Sequence, residues 1–194
     1  MLVYIGTYTS QGSEGIYACE FDPATGALDG LRPMARTANP TYLCFHPERP
    51  YLYAANEVSD PMGKSGAVSA YAIGREGALT RLNQQPSHGT SPCYVSVGGA
   101  GRYVLVANYS SGTVAVLPIG AGGALGEATD VVQHEGSGAD PRRQEGPHAH
   151  CIVPDPGDRF VLSCDLGTDR VMIYRLDAAA GSLLPAAAPY ALLA

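Results

Sequence analysis

PTYLCFHPERPYLYAAN, residues 40–56, returns as PCYVSVGGAGRYVLVAN at residues 92–108. Pro40-Thr41-Tyr42 matches Pro92-Cys93-Tyr94, Tyr51–Asn56 matches Tyr103–Asn108, and every matched position is displaced by 52 residues. A third copy reads His148-Ala149-His150 followed by Phe160–Asp165, matched with one residue inserted. The opening Leu2-Val3-Tyr4-Ile5-Gly6-Thr7 matches only the second half of the unit. Each copy leads into a further apolar run: Ile16–Phe21, Val68–Ile73, Val114–Ile119 and Val171–Leu176. Those runs end at Gly26-Ala27-Leu28, Gly77-Ala78-Leu79, Gly123-Ala124-Leu125 and Gly181-Ser182-Leu183. Glycine accepts positive φ at no steric cost, and the leucine after it is expected to return the chain to the core.

β-branched and aromatic residues dominate the runs, and none keeps a helical period. About four strands per unit of roughly 40–50 residues is the arithmetic of a propeller blade. The fold class is therefore all-β, a β-propeller of four-stranded blades. Residues 1–194 read as a single partial domain, starting in mid-blade and stopping before ring closure. They hold roughly 3.5 blades, about half of a larger ring, since propellers run to about four to eight blades. A closed four-bladed ring is the alternative.

Composition narrows the function. Twelve Lys+Arg against 18 Asp+Glu give a formal net charge of -6. That balance argues against a nucleic-acid partner and against a polybasic membrane surface. No signal peptide and no run of transmembrane length is visible, so a cytoplasmic location is expected. Cys19, Cys44, Cys93, Cys151 and Cys164 are odd in number and form no C-x-x-C pair, as expected of free thiols in a reducing compartment.

The densest polar cluster runs from Arg142 to His150, RRQEGPHAH. Residues two apart on a strand point the same way, so His148 and His150 are expected to share a direction. Either is a candidate general base or oxyanion-stabilising acid; the competing reading makes both of them braces of blade turns. Arg143, in the pair Arg142-Arg143, is a candidate for a substrate phosphate or carboxylate. Asn56, Asn108 and Asp165, with Thr7, occupy one equivalent position and read first as loop braces. Asp165 is also a secondary catalytic candidate by charge, and Asn108 a substrate-binding one. Glu57 is a candidate channel-facing carboxylate. No recognised metal-ligand spacing is present, so no metal is expected. Gly63-Lys64-Ser65 resembles the end of a P-loop, but Val58 stands where its first glycine belongs and no helix follows. The absence of G-x-S-x-G excludes an α/β-hydrolase nucleophile.

YIGTYT, AANEV, VANYSSGTV and above all QEGPHAHCIVPDPGDRFVLSCDLGTDRVMIYRLD resemble the lactonase seven-bladed propeller family. The resemblance covers essentially the whole chain. It implies a ring close to twice this length and hydrolysis of 6-phosphogluconolactone in the pentose phosphate route, with no metal or cofactor. It assigns a catalytic role to His148, in the family's P-H-x-H segment. The family's further Arg and Glu lie in the next blade, in G-P-R-H and N-E-L segments that this sequence does not contain; Glu57 has the N-E pattern in an earlier blade. The chain alone is therefore expected to be inactive or nearly so. A lactone-forming lyase of the muconate-cycloisomerizing kind and a non-catalytic binding propeller are the competing readings. Exposed blade edges lead us to expect self-association.

Overall fold

The computed structural model describes residues 1–58 and 65–193. Its strands form four antiparallel meanders, each one blade. The first has three strands, β1 (Leu2–Ile5), β2 (Gly15–Phe21) and β3 (Leu28–Arg36). The second has β4 (Pro40–Phe45), β5 (Tyr51–Asn56), β6 (Ala67–Ile73) and β7 (Leu79–Pro86). The third has β8 (Pro92–Val97), β9 (Tyr103–Asn108), β10 (Thr113–Pro118) and β11 (Asp130–Gln133). The fourth has β12 (Ala149–Pro154), β13 (Phe160–Asp165), β14 (Arg170–Asp177) and β15 (Ser182–Leu192). The expected all-β blades are present. A single 3-10 turn, Arg75–Gly77, is the helical content of the described residues.

The middle strands of a blade read as unbroken apolar runs because both of their faces meet another blade. Side-chain alternation then divides one strand between two cores. In β5, Leu52 and Ala54 pack with Ile16 of the first blade. Tyr53 and Ala55 pack with Val104, Val106 and Leu117 of the third. In β9, Leu105 and Ala107 turn the other way, toward Ile152, Val161 and Tyr174 of the fourth. Outer strands face water on one side, and the pattern of β11, Asp130-Val131-Val132-Gln133, alternates half-buried with exposed. The first strands lie together, β8 between β4 and β12, and these are the inner walls.

The expected glycine turns are present: φ is 76° at Gly26, 77° at Gly77, 83° at Gly123 and 68° at Gly181. Gly123 also needs its missing side chain, since a Cβ there would lie 2.6 Å from the Tyr51 ring of the preceding blade. The leucines after the turns divide. Leu125 and Leu183 are buried against the preceding blade, whereas Leu28 is 59% exposed, contrary to the expectation. Among the described residues its sheet has a neighbour on one side only, so that leucine has no core to enter. After Gly123 the chain makes one isolated bridge, Ile119 with Leu125, and reaches β11 only at Asp130.

The third copy contains no inserted residue, contrary to the expectation. Ala149 pairs with Asp165 as Pro40 pairs with Asn56 and Pro92 with Asn108. The three units therefore match without an insertion, and His148 is equivalent to Asn39 and Ser91. The repeated bonds agree: Leu166 N–H donates to the His148 carbonyl, Tyr109 N–H to that of Ser91 and Glu57 N–H to that of Asn39. The first strands of the second, third and fourth blades each carry a β-bulge, and the bulged residues are Thr41, Cys93 and His150. A bulge re-aims the side chain at its position. This breaks the simple alternation from His148 to His150.

Candidate functional site

One end of the blades gathers two repeated positions around an open cleft. The residue after β5, β9 and β13 gives Glu57, Tyr109 and Leu166, Tyr8 holds the matching place in the partial first copy, and the bulge position gives Cys93 and His150; Arg143 completes the lining. Thr41, the remaining bulge residue, joins through Glu57, donating its hydroxyl to Oε2 at 2.8 Å. Tyr8 O–H donates to the same oxygen at 2.8 Å. That bond, followed by burial and the Glu57 charge, raises the Tyr8 pKa to about 12, so the phenol stays protonated at neutral pH. Cys93 is no nucleophile here. Burial first, and then the Glu57 charge, push its thiol up to about 12.

Tyr109 organises the imidazoles. The His148 ring stacks on it at 4.6 Å and 13°, and the His150 ring meets it edge-on at 5.7 Å and 86°. So the two histidines do converge, through Tyr109 rather than through strand alternation. His150 is exposed in the cleft, while the His148 side chain is only 13% exposed. His148 Nδ1 lies 3.0 Å from the Tyr109 carbonyl oxygen. A carbonyl only accepts, so in the neutral ring Nδ1 carries the proton and Nε2 keeps its lone pair. Glu145 Oε1 stands 3.7 Å from that Nε2. Arg143 is exposed, with Nη2 3.5 Å from the Tyr109 hydroxyl and no carboxylate partner among the described residues.

Asp165 and Asn108 lie behind this surface, at 1% and 0% exposure. Asn108 Nδ2 donates to the Ser87 carbonyl at 3.0 Å and to Thr113 Oγ1 at 3.1 Å. It braces the blade and does not line the cleft. Asp165 Oδ1 accepts from the backbone N–H of His148, Gly167 and Thr168 at 2.9, 2.9 and 3.1 Å. Its Oδ2 lies 2.6 Å from His134 Nδ1. Burial raises the Asp165 pKa, but the His134 bond and the His148 N–H outweigh it and hold the group below the ordinary carboxyl value. Among the described residues no three His, Cys, Asp or Glu side chains assemble as a metal-binding group. Gly63 and Lys64, of the P-loop-like segment, lie outside the described residues.

Sequence reasoning missed Tyr8, Tyr109, Thr41 and His134. The first three had a signal. Tyr8 and Tyr109 directly follow the repeated Thr7 and Asn108, and an ungapped match places Thr41 with Cys93 and His150. His134 lies outside the repeated stretch, so no periodicity marks it.

The family model for "Lactonase, 7-bladed beta-propeller" matches residues 2–192. The chain is 40% identical over 174 residues to 6-phosphogluconolactonase of Bacillus subtilis, covering 89% of this chain and 48% of that protein. It is similar in structure to the periplasmic gluconolactonase of Pseudomonas aeruginosa, with a TM-score of 0.90 and 35% identity, over 100% of this chain and 55% of the other. A protein from Lactobacillus plantarum superposes with a TM-score of 0.85 at 35% identity, over 100% of this chain and 53% of its own. The chain thus spans about half the length of the curated relatives it matches. No helix among the described residues is long and apolar enough to cross a membrane. With blades and relatives in agreement, the chain belongs to the seven-bladed β-propeller lactonase family.

Proposed function

We propose that these blades belong to a sugar-lactone hydrolase that opens 6-phosphogluconolactone to 6-phosphogluconate, a step of the pentose phosphate route. The observation that carries this reading is His148, its proton fixed on Nδ1 by the Tyr109 carbonyl and its Nε2 left as the basic nitrogen. In the reaction His148 Nε2 takes a proton from water as the oxygen attacks the lactone carbonyl. The ring C–O bond then breaks, and the leaving alkoxide takes that proton back from His148 Nε2, becoming the sugar hydroxyl and restoring the neutral imidazole. Arg143, which lines the cleft and is paired with no carboxylate among the described residues, fits the substrate's phosphate. His150 is the secondary candidate for proton transfer. Asp165 supports His148 from behind.

The chain covers 48% of the Bacillus subtilis relative, and we propose that full turnover needs groups from the remaining blades. The 194-residue chain alone is then nearly inactive and self-associates through its uncovered end sheets. Five unbonded cysteines support a reducing, cytoplasmic setting; cell fractionation tests this directly, and recovery from the periplasm would reject it. The activity is tested by assaying the full-length protein on 6-phosphogluconolactone and on unphosphorylated gluconolactone. We expect preference for the phosphorylated substrate and a roughly tenfold rise in its KM on Arg143→Ala, with kcat little changed. If neither lactone opens faster than it does spontaneously, the hydrolase reading fails.

A further inference from the structure

The fourth blade breaks a rule that the second and third keep. At the end of β5, Asn56 Nδ2 donates to Thr37 Oγ1 at 2.9 Å and to the Ala38 carbonyl at 2.6 Å. At the end of β9, Asn108 Nδ2 donates to the Ser87 carbonyl at 3.0 Å. In both, an amide donates to the loop that enters the blade's first strand. At the end of β13 the residue is Asp165, and the direction reverses. Its carboxylate accepts from His134 Nδ1 at 2.6 Å and from the His148 backbone N–H at 2.9 Å. His134 holds the place of Thr37 and Ser87: its N–H donates to Gly112 O, as Ser87 N–H does to Gly66 O and Thr37 N–H to Glu14 O.

The reversal coincides with a change in loop length. Three residues, Thr37–Asn39, enter β4 and five, Ser87–Ser91, enter β8, but residues 134–148 enter β12. That long loop carries Arg143, Glu145 and His148, and a longer loop costs more entropy to close. Its two ends meet on one buried carboxylate, His134 on Oδ2 and His148 on Oδ1. The His134 side chain is 1% exposed and that of Asp165 0%, so water does not compete for the contact. A hydrogen bond to a charged group in such a site is stronger than a neutral one.

From this geometry we infer that His134 is a positioning residue: through Asp165 it clamps the 134–148 loop and fixes where His148 presents its ring. The inference rests on the reading of His148 as the reactive imidazole. The bonds that join His134 to His148 among the described residues run through Asp165, and its ring stacks on Tyr174.

The test uses NMR on the full-length protein and requires no lactone. In the wild type the His148 amide should exchange at least about a hundredfold more slowly than in an unstructured chain. Its ring should show the tautomer protonated at Nδ1. In His134→Ala we expect His148 amide exchange about tenfold or more faster, and ring nitrogen shifts moved toward the mixed tautomers of free imidazole. His134→Gln, whose side-chain amide can still donate to Asp165, should restore most of both. A folded His134→Ala with an unchanged His148 amide and ring overturns the clamp. So does fast exchange of that amide in the wild type, a result that needs no variant to fold. Lack of lactone turnover would leave these signals untouched, so failure of the clamp and failure of the hydrolase reading remain separate.

Discussion

Tyr109 meets His148 face-on and His150 edge-on, so the two imidazoles present themselves differently around one ring. His148 is half-enclosed with one nitrogen committed, while His150 is displayed by a bulge. RRQEGPHAH marked both histidines and Arg143 in the sequence. The residue that arranges them, Tyr109, was hidden because it looked like the start of an ordinary turn after VAN. Asp165 was legible as a brace through its repeat, but its partner His134 was not. Two predictions belong at this scale. Because the folded Asp165 carboxyl lies below its ordinary value of 3.8, its stabilisation is complete above that value. It is lost as pH falls through the lowered folded value. Asp165→Asn should therefore lose less stability than the wild type between about pH 5 and pH 2, followed by urea melts across that range. Equal acid sensitivity would contradict it. Cys93, with its thiol raised to about 12, should be alkylated by iodoacetamide at pH 7.5 far more slowly than an unfolded-chain thiol. Mass spectrometry of timed samples checks this, and rapid labelling of Cys93 would count against the site as described.

Strands were the most legible elements, since a buried blade strand is an apolar run with glycine punctuation. What the pattern could not reveal was the bulge, which depends on the bonding of a neighbouring strand. The insertion expected in the third copy has a different origin: it sets His150 against Tyr42 and Tyr94, whereas the ladder sets Cys151 there. Burial predicts which changes hurt most. Leu105 is 1% exposed in the core shared by the third and fourth blades. Leu105→Ala should cost about 2–5 kcal/mol, read as a lower denaturant midpoint. Gly123→Ala should also destabilise, because it combines a φ of 83° with the approach of Tyr51. Its cost should exceed the ~1 kcal/mol typical of a strained turn position alone. A neutral Gly123→Ala would mean that the blade contact can open without penalty.

Across the whole molecule, the repeat count anticipated a half-ring, and the chain indeed covers about half of its relatives. The end sheets carry the consequence. Phe160, Leu184, Tyr190 and Leu192 lie exposed in the fourth blade, and Leu28 and Leu31 in the first. Apolar surface of this kind favours association. Light scattering coupled to size exclusion should find the 194-residue chain larger than a monomer, and a clean monomer at micromolar concentration would oppose the proposal. The central claim is that His148 supplies the reactive imidazole of a lactonase. It is tested most directly by the rate of 6-phosphogluconolactone hydrolysis in the full-length protein, wild type against His148→Ala, at constant pH. We predict clear turnover by the wild type and a loss of at least about a hundredfold in kcat/KM for the variant, with its fold intact. A folded His148→Ala protein that retains wild-type kcat/KM would contradict the account.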